Sequence, residues 1–228
     1  MPVNQQPASA PQAQSTEDQF WESGGSYRAT DHPVVEIFAR QRIAYLQHKQ
    51  ALAQVKSILD IGSGSGFSSR YYPERMQVVA ADYAGGMLAR NPTPNRTRCS
   101  GARLPFADDS FDLATCWELL HHLEDPIETI REMFRVTRKR MILFEPNRIH
   151  PGHIYLGLTR AEERRSLLFS PGYMRRLLRQ AIGRSPDVHE RCGLLFPNIT
   201  PFPVAKLMRK FPYRMPVIGI SQLLIVEK

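Results

Sequence analysis

The amino-acid sequence predicts an α/β fold in which an open, mostly parallel sheet carries helices on both faces. Short apolar runs typical of buried parallel strands alternate with segments of helical periodicity, at an interval that indicates βαβ units. A glycine-rich loop at residues 62–66 directly follows the first apolar run. In open sheets of this kind, ligands bind at the carboxyl ends of the strands. These observations predict a Rossmann-like, doubly wound domain.

Length and composition fit one globular domain. The chain has 228 residues, of which 42% are hydrophobic and 23% are charged, and both values are close to the globular average. Residues 1–19 are rich in Gln, Ala, Pro and Ser and predict a disordered tail instead of a signal peptide. We therefore expect a tail at 1–19 and a single domain at 20–228, with its core at 56–148 and a further region with the final strands at 149–228.

Neither a membrane span nor a disulfide framework is indicated. The longest nearly apolar stretch, residues 215–226, is interrupted by Ser221 and Gln222 and is shorter than the roughly 20 residues that a spanning helix needs. Three widely spaced cysteines predict reduced thiols; they are Cys99, Cys116 and Cys192. We expect a cytoplasmic protein.

Apolar runs place the predicted strands. The first runs from Ser57 to Gly62 and ends in the glycine loop, and the second runs from Gln77 to Asp82 and ends in an acid. Both have the length and composition of buried parallel strands. The other candidate strands are residues 97–101, 112–117, 140–146, 185–192 and 219–228.

Capping residues and helical periodicity mark the helices. Asp31 is the predicted N-cap of a helix that runs to about Gln54, because apolar residues recur there at helical spacing. At residues 125–128 an aspartate, a proline and a glutamate predict the start of a crossover helix. Two further helices are expected at residues 170–182 and 204–211.

The net charge of +8 is concentrated in the last third of the chain. Residues 151–228 hold 13 Lys and Arg against 5 Asp and Glu, whereas residues 1–150 are balanced. Such a field can attract an anionic acceptor, a lipid headgroup surface or nucleic acid. A solvated basic face that only aids solubility is an equally weighted alternative.

The glycine loop and the acid before it favour a cationic ligand over a dinucleotide. Alternate glycines allow a sharp turn and a close approach of the backbone to a ligand. A dinucleotide fingerprint places its third glycine at position 67, where this chain has Phe67. Asp60 would repel a diphosphate but suits an ammonium or a sulfonium group. S-adenosylmethionine carries both of these cations.

Asp82 ends the second predicted strand, about 20 residues after the loop begins, where a carboxylate can accept hydrogen bonds from both ribose hydroxyls. Nicotinamide enzymes use the same device, and a helix N-cap is the structural alternative for this side chain. The combination of Asp60, the glycine loop and Asp82 points to S-adenosylmethionine.

Four segments together resemble the class I S-adenosylmethionine-dependent methyltransferases, specifically the small-molecule group (methyltransferase type 11-like) that includes quinone-biosynthesis enzymes. They are SILDIGSGSGFSSR, VVAADYAGGMLARN, LPFADDSFDLATCWELLHHLEDP and RMILFEPNR, in unbroken order over residues 56–148. The resemblance implies a mostly parallel seven-stranded sheet with an antiparallel last strand. It also implies S-adenosyl-L-methionine as the cofactor.

The same resemblance implies roles for residues around the glycine loop. Gly62, Gly64 and Gly66 would line the methionine moiety, and Asp60 would lie near its amino group. Asp82 would hold the ribose.

Other residues would contact the remaining parts of the cofactor. Tyr83 and Gly101 would contact the adenine, although this chain has a serine before Gly101 where the family usually has an acid. The remaining candidates border the sulfonium or cover the cofactor from the N-terminal region; they are Cys116, Trp117, Tyr27 and Arg28.

A general base is needed only if the attacking atom of the acceptor must lose a proton. His122 is the first candidate, followed by His121 and Glu145. Glu118 and Asn147 are also expected at the carboxyl edge of the sheet, where ligands bind. One buried, hydrogen-bonded histidine beside an exposed one is the alternative for the pair, and a structural anchor is the alternative for Glu145. Adjacent histidines without spaced ligands predict no metal site.

Residues 149–228 are expected to cover the acceptor, a small molecule of lipid-like, aromatic or anionic character. The sequence has no evident RNA-binding motif, which argues against nucleic acid, whereas association with a membrane surface and the oligomeric state stay open. We predict a methyltransferase. The alternatives are a non-catalytic cofactor-binding module and an NAD(P)-dependent oxidoreductase.

Overall fold

The computed structural model describes residues 16–23 and 28–228, and within them seven strands form one sheet in the order β3-β2-β1-β4-β5-β7-β6. The strands are β1 (Ser57–Ile61), β2 (Gln77–Asp82), β3 (Asn95–Arg98), β4 (Phe111–Trp117), β5 (Thr137–Pro146), β6 (Val188–Cys192) and β7 (Ser221–Glu227). Strand β7 is antiparallel to β5 and β6, and the other neighbouring pairs are parallel. The predicted fold class is confirmed.

Helices cover both faces of this sheet. Those in the described residues are α1 (Thr16–Glu22), α2 (Pro33–His48), α3 (Gly85–Ala89), α4 (Pro126–Val136), α5 (Pro151–Thr159), α6 (Pro171–Ile182) and α7 (Phe202–Met208). One apolar core lies between the sheet and helices α2 and α7, and a second lies between the sheet and helices α4 and α6.

The alternation of strand side chains produces the two cores. Ile58 packs in the core with α2, and the next residue, Leu59, packs in the core with α4. Leu223 and Leu224 divide between the cores in the same way. Successive side chains of a strand point to opposite faces, so a strand covered on both sides is apolar throughout, as the sequence indicated.

Helix α2 differs from its prediction at both ends. The N-cap is His32 and not Asp31, because the His32 Nδ1 atom accepts a hydrogen bond from the Val34 N–H at 3.2 Å. The helix ends at His48 instead of near Gln54. Gln50 and Gln54 both have positive φ values, +57° and +56°, which interrupt a right-handed helix.

Local capping explains why two other helices were predicted well. The Asp125 Oδ1 atom accepts a hydrogen bond from the Ile127 N–H at 2.9 Å at the start of α4. The Ser170 Oγ atom accepts one from the Tyr173 N–H at 3.1 Å at the start of α6. Helix α6 ends where Gly183 adopts φ +70°, the left-handed conformation common at helix C-termini.

The observed bounds of several other elements differ from the predicted bounds, because the apolar signal in the sequence is weak there. Strand β3 occupies residues 95–98 instead of 97–101, because its polar residues are aligned by parallel pairing with β2. Strand β5 begins earlier than predicted, at Thr137, and β6 begins later, at Val188. Helix α7 covers Phe202–Met208 instead of 204–211.

The connection that follows the glycine loop is short. Between β1 and β2 the chain forms only the three-residue 3₁₀ turn Ser69–Tyr71, and α3 between β2 and β3 has five residues. No regular α-helix therefore begins at the glycine loop in this described segment.

The N-terminal prediction is corrected in part. Residues 1–15 of the predicted tail lie outside the described residues, whereas residues 16–19 belong to α1. Among the described helices none is both long and apolar enough to cross a membrane.

Candidate functional site

A cavity of about 910 Å³ opens at the carboxyl ends of β1, β2 and β4. Its walls come from the loop after β1, the segments that follow β2 and β4, helix α1, and parts of the C-terminal third. Strands β1 and β4 are neighbours whose connections leave in opposite directions, and ligands of open α/β sheets bind at such a point. The volume fits a small-molecule pocket.

The glycine loop forms one wall of the cavity through Gly62 and Gly64. Their φ values are +66° and +49°, a conformation that is costly for residues with a Cβ atom. A Cβ atom on Gly62 would lie 2.6 Å from Leu119 Cδ1, and one on Gly64 would lie 3.2 Å from Met87 Cε. The turn therefore needs glycine at both positions.

Gly66 does not line the cavity, contrary to the prediction. It has φ +99°, and a Cβ atom there would lie 2.9 Å from Pro92 Cδ. The neighbouring Asn91 donates hydrogen bonds from Nδ2 to the Gly64 carbonyl oxygen and to Ser69 Oγ, both at 3.1 Å. Gly66 is thus required for packing of the loop against residues 91–92.

Asp60 lies behind the glycine loop and is not part of the cavity wall. Its side chain has no exposed surface, and it accepts a hydrogen bond from the Ser68 hydroxyl. Burial raises the pKa of Asp60 to about 7, although the hydrogen bonds from Ser68 and Ser69 oppose this shift. Asp60 was predicted to lie near the amino group of the methionine moiety. It lies behind the glycine loop instead, outside the cavity wall.

Asp82 joins the end of β2 to the glycine loop at the cavity wall. Its Oδ2 atom accepts a hydrogen bond from the Gly64 N–H at 2.7 Å, and its Oδ1 atom accepts one from the Ala84 N–H at 2.8 Å. Burial raises the pKa of Asp82, while these two amides favour the ionised carboxylate. Each carboxylate oxygen retains a further lone pair that can accept a hydrogen bond.

Tyr83 and Gly101 lie together with Ser100 on the next part of the wall. The side chain of Tyr83 is 55% exposed at the rim. A Cβ atom on Gly101 would lie 3.0 Å from Thr129 Cγ2, so this position is confined to a small residue. The structure brings both predicted residues to the cavity.

The two residues at the end of β4 have different surroundings. Trp117 lines the cavity, whereas Cys116 is fully buried and does not. Cys116 Sγ lies 3.9 Å from Glu145 Oε1, and burial raises the pKa of its thiol. Because neighbouring strand residues point to opposite faces, only one of this predicted pair can reach the ligand side.

Glu145 is an anchor and not a cavity residue. It is fully buried, and its Oε1 atom accepts hydrogen bonds from the Leu119 and Leu120 N–H groups at 3.1 Å and 2.7 Å. Its Oε2 atom lies 3.0 Å from His121 Nδ1. Glu145 is therefore a structural anchor for the turn after β4, and the prediction that it acts as a base at the cavity is wrong because its side chain is buried outside the cavity wall.

His121 and His122 line the cavity from a 3₁₀ turn after β4. Burial of His121 lowers its pKa, but hydrogen bonds and charges of Glu145 and Glu163 outweigh it and raise the pKa to about 10. The imidazole is then protonated at neutral pH and cannot accept a further proton. His122 Nδ1 lies 3.2 Å from the Glu162 carbonyl oxygen.

A buried ion pair at the cavity was not predicted. Arg42 of α2 has no exposed surface and donates from Nη2 to the Glu118 carboxylate and to Ser221 Oγ, the latter at 2.6 Å. Its guanidinium carbon lies 4.2 Å and 4.5 Å from the ring centroids of Phe38 and Phe144. Burial opposes ionisation of Glu118, but Arg42 outweighs it and lowers the pKa of the carboxyl.

The sequence carries a local signal for a buried, paired Arg42. It lies on the apolar stripe of α2, one helical turn from Phe38 and Leu46. A charge on such a stripe is almost never fully buried unless it is paired. Glu118, with φ +56°, was named only as a residue at the ligand edge.

The C-terminal third contributes residues to the cavity wall, and its role in covering the acceptor stays a prediction. Residues of α5, of the segment after α5 and of the loop after β6 line it, and they include His153, Leu156, Glu163, Arg165 and Phe196. Helix α1 adds Phe20 and Trp21, and the Trp21 ring lies 4.7 Å from the His122 ring. No local pattern in the sequence indicates these long-range neighbours.

Of the N-terminal candidates only Arg28 lies within the described residues, and neither Arg28 nor Asn147 lines the cavity. Tyr27 lies outside the described residues. Arg28 donates from Nη1 to the Pro197 and Thr200 carbonyl oxygens, at 2.9 Å and 2.7 Å, and fastens that loop instead of covering the cavity. Asn147 is buried and donates to the Gly219 carbonyl oxygen at 2.7 Å.

Comparison with known proteins agrees with this geometry. Residues 59–144 match a family model described as a methyltransferase domain. A S-adenosylmethionine-dependent methyltransferase of Thermotoga maritima has the same fold, with a TM-score of 0.64 and 15% identity over 86% of this chain and 91% of that one. Over residues 59–144 this chain is therefore similar to methyltransferase domains. Magnesium protoporphyrin IX methyltransferase from Synechocystis PCC 6803, solved with bound S-adenosylhomocysteine, shares the fold with a TM-score of 0.53 and 18% identity over 86% and 84% of the chains.

Curated relatives match the methyltransferase domain over part of their length. Demethylmenaquinone methyltransferase of Paenarthrobacter aurescens (strain TC1) is 35% identical over 97 residues, which are 40% of this chain and 38% of the relative. Ubiquinone/menaquinone biosynthesis C-methyltransferase of Stenotrophomonas maltophilia (strain K279a) is 34% identical over 112 residues, 42% and 44% of the two chains. The chain thus matches about two fifths of the length of these relatives.

Proposed function

We propose that this protein binds S-adenosylmethionine in the cavity and transfers its methyl group to a small-molecule acceptor. The observation that carries the proposal is the direct hydrogen bond between Asp82 and the Gly64 N–H in the cavity wall. It joins the carboxylate expected at the ribose to the turn expected at the methionine. The site was predicted from these same two features.

The connection after the glycine loop supports this ligand over a dinucleotide. A dinucleotide diphosphate is held by the N-terminus of an α-helix that follows the loop, but here the loop leads into a three-residue 3₁₀ turn. The Asp82 carboxylate lies in the cavity wall at this position instead, and Asp60 is buried behind the loop. A cationic ligand is favoured there and a diphosphate is repelled.

The residues present fit the proposed cofactor. Gly62 and Gly64 leave no side chain between the backbone and the cavity, and Asp82 offers acceptors for the ribose hydroxyls. Tyr83 and Gly101 would flank the adenine, and Trp117 with Glu118 would lie toward the sulfonium.

Bound S-adenosylmethionine supplies an electrophilic methyl group, so the chain has to orient the acceptor and exclude water. The aromatic side chains of Trp21 and Phe196 close parts of the cavity away from the glycine loop. His121 and His122 lie on the acceptor side and are the groups available to act on it. Because Glu145 and Glu163 stabilise the protonated form of His121, we assign the role of general base to His122.

The acceptor is proposed to be an aromatic or lipid-like small molecule. The C-terminal third, which differs from the minimal fold, provides Leu156 and Phe196 to the cavity together with Arg160 and Arg165. This wall combines apolar surface with cations, which suits a ring bearing an ionised oxygen. Relatives named as quinone methyltransferases are consistent with that class.

The proposal includes contact with an anionic membrane surface, where a lipid-like acceptor would reside. Residues 191–226 contain no Asp or Glu. Around α7, Leu207 and Phe211 are 58% and 51% exposed, and Lys206, Arg209 and Lys210 are exposed beside them. Exposed apolar side chains next to several cations are typical of segments that lie on anionic lipid.

A cytoplasmic location is part of the same proposal. All three cysteines are free, and two of them are buried. Reduced thiols are typical of proteins of the cytosol.

Calorimetric titration tests the cofactor assignment. We expect heat of binding with S-adenosylhomocysteine and none with NAD. Asp82→Ala should weaken binding at least tenfold, because it removes a charged hydrogen-bond acceptor worth about 1.5–3 kcal/mol. The matched control is Asp31→Ala, an exposed aspartate outside the cavity. Binding of NAD alone, or an unchanged affinity in Asp82→Ala, would reverse the assignment.

Transfer and membrane contact need separate tests. Incubation of the protein with labelled S-adenosylmethionine and lipid extracts should yield a product heavier by one methyl group, whereas a non-catalytic module gives none. Co-sedimentation with vesicles containing phosphatidylserine should fall in Lys206→Glu but not in Lys56→Glu, an exposed lysine directly before β1. Equal sedimentation of the two variants contradicts the surface assignment.

A further inference from the structure

We propose that His121, His122 and Glu163 bind a divalent transition-metal ion in the wall of the cavity. One ring nitrogen of each histidine and one carboxylate oxygen of Glu163 all lie within 4.8 Å of one another. The distance from His121 Nε2 to Glu163 Oε2 is 3.6 Å. Ligand atoms around a tetrahedral zinc ion lie about 3.3 Å apart, so small side-chain rotations complete the site.

The surroundings of the two histidines orient them for this role. His121 Nδ1 lies 3.0 Å from Glu145 Oε2, and Nε2 lies 3.6 Å from Glu163 Oε2. Metal binding would release the Nε2 proton to solvent, while the Nδ1 proton stays on the Glu145 side. Glu145 is itself fixed by two backbone N–H groups. His122 Nδ1 lies 3.2 Å from a backbone carbonyl oxygen. A carboxylate or carbonyl behind the ring is the usual partner of a histidine that binds metal through its other nitrogen.

His153 provides an independent observation at the same place. It lines the cavity, is only 6% exposed, and neither of its ring nitrogens has a hydrogen-bond partner among the described residues. A buried imidazole without partners is unfavourable. A metal ion at His121 and Glu163, or a water molecule bound to that ion, would supply the missing partner.

The ligand set indicates the class of ion and leaves room for a substrate. Two imidazoles and one carboxylate suit Zn²⁺ and related divalent ions. Three protein ligands leave at least one position open, as in catalytic zinc sites, and this position faces the cavity. We therefore infer that the acceptor binds the ion through a phenol or enol oxygen.

Activation of the acceptor by the ion rests on the proposed methyl transfer and deepens it. Binding of the ion to His121, His122 and Glu163 does not depend on that proposal. On binding the ion, the acceptor oxygen loses its proton to solvent water. The electron pair of the oxygen, or of the carbon conjugated to it, then forms the bond to the methyl carbon. The methyl–sulfur bond breaks and its electrons remain on sulfur. His122 would then act as a ligand in place of the base role.

Metal titration of the full chain tests the site. Protein dialysed against EDTA and then titrated calorimetrically with zinc chloride should bind one equivalent. His122→Ala and Glu163→Gln should each weaken zinc binding at least tenfold, and His48→Ala, which removes an exposed histidine, should leave it unchanged. Circular dichroism of each variant establishes that the fold is retained.

Three results would overturn the metal site: no heat with zinc, equal affinity in Glu163→Gln and the native protein, or loss of binding in His48→Ala. In the first case the histidines form only an ion-pair network with the carboxylates. Titration of the EDTA-treated protein with S-adenosylhomocysteine separates the two proposals. Binding of that ligand without zinc binding refutes the metal site alone, and zinc binding without it refutes the proposed cofactor.

Discussion

Asp60 is a carboxyl group enclosed beneath the ligand loop, and its protonation is coupled to folding. Burial raises its pKa to about 7, whereas an aspartate in the unfolded chain titrates near pH 4. Between these pH values the folded protein holds a proton that the unfolded chain has released. The free energy of unfolding therefore falls as the pH rises through this window, by at most about 1.4 kcal/mol per pH unit.

Asp60→Asn should remove this dependence, because the amide is neutral at every pH. We expect the variant to gain stability relative to the native protein as the pH rises from 5 to 7, measured by urea denaturation at each pH. Comparing the difference between the two proteins cancels groups that titrate in both. Parallel stability profiles would show that Asp60 is already ionised in the fold.

Gly62 offers a second test at the level of one residue. Gly62→Ala should weaken binding of S-adenosylhomocysteine at least tenfold, because the new Cβ atom would displace Leu119 from the wall. The matched control is Gly183→Ala, which has a similar φ of +70° but nothing within 4 Å. Each variant should lose about 1–2 kcal/mol of unfolding free energy for the left-handed backbone. Equal ligand affinity in the two variants contradicts the assignment.

At this scale the sequence predicts which loop carries the site but not which side chains enter it. Gly62, Gly64 and Asp82 follow from strand ends and turn chemistry. Cys116 and Glu145 lie at the predicted ends of their strands, but their side chains face the core. The sequence places a strand end only to within a residue or two, and a shift of one residue moves each side chain to the other face of the sheet.

Helix α2 delivers a fully buried cation to the cavity wall. Arg42→Met keeps the volume but leaves the Glu118 carboxylate without its guanidinium partner. We expect a loss of about 3 kcal/mol in unfolding free energy by urea denaturation, the low end for a broken buried pair, because the Glu118 side chain is 29% exposed. Arg40→Met, on the exposed side of the same helix, should cost about 0.5 kcal/mol or less.

A double variant distinguishes the broken pair from a packing defect. Arg42→Met combined with Glu118→Gln removes both charges, so part of the lost stability should return. If the double variant loses the sum of the two single losses, the ion pair contributes nothing and the effect belongs to packing around Phe38 and Phe144.

Helices and strands that are marked by adjacent residues were predicted more closely than those held in place by contacts distant in sequence. Helices α4 and α6 carry their own caps, so their starts were found from a few adjacent residues. Strand β3 and helix α1 lack an apolar run and are held by neighbours distant in sequence, β2 and α3 respectively. The salt bridge between Glu22 of α1 and Arg98, at the end of β3, spans 76 residues, a separation that no local pattern reveals.

Across the whole molecule, the N-terminal segment and the C-terminal third meet beside the cavity. Arg28 holds the loop at residues 197–200 through two carbonyl oxygens. Arg28→Ala should speed amide hydrogen exchange in peptides covering residues 196–200, about fivefold for each 1 kcal/mol of lost hydrogen bonding. Arg209→Ala, directly after α7, is the control, and mass spectrometry provides the readout. Unchanged exchange would mean that the loop is held by other contacts.

The molecule as a whole could be assigned to its fold because alternation of strands and helices is a property of the entire sequence. The cavity could not be assembled in the same way. Its acceptor side brings together residues from α1, the turn after β4 and the loop after α5, and these contacts depend on tertiary packing. Positions such as Glu163 beside His121 therefore emerge only from the structure.

The placement of the two indole rings has a practical consequence. The chain has two tryptophans, and both Trp21 and Trp117 line the same cavity. Nearly all intrinsic fluorescence excited at the red edge of protein absorption therefore originates beside the ligand. Occupancy can be followed by emission intensity without any label, and replacing one indole at a time would report separately on the cofactor end and the acceptor end.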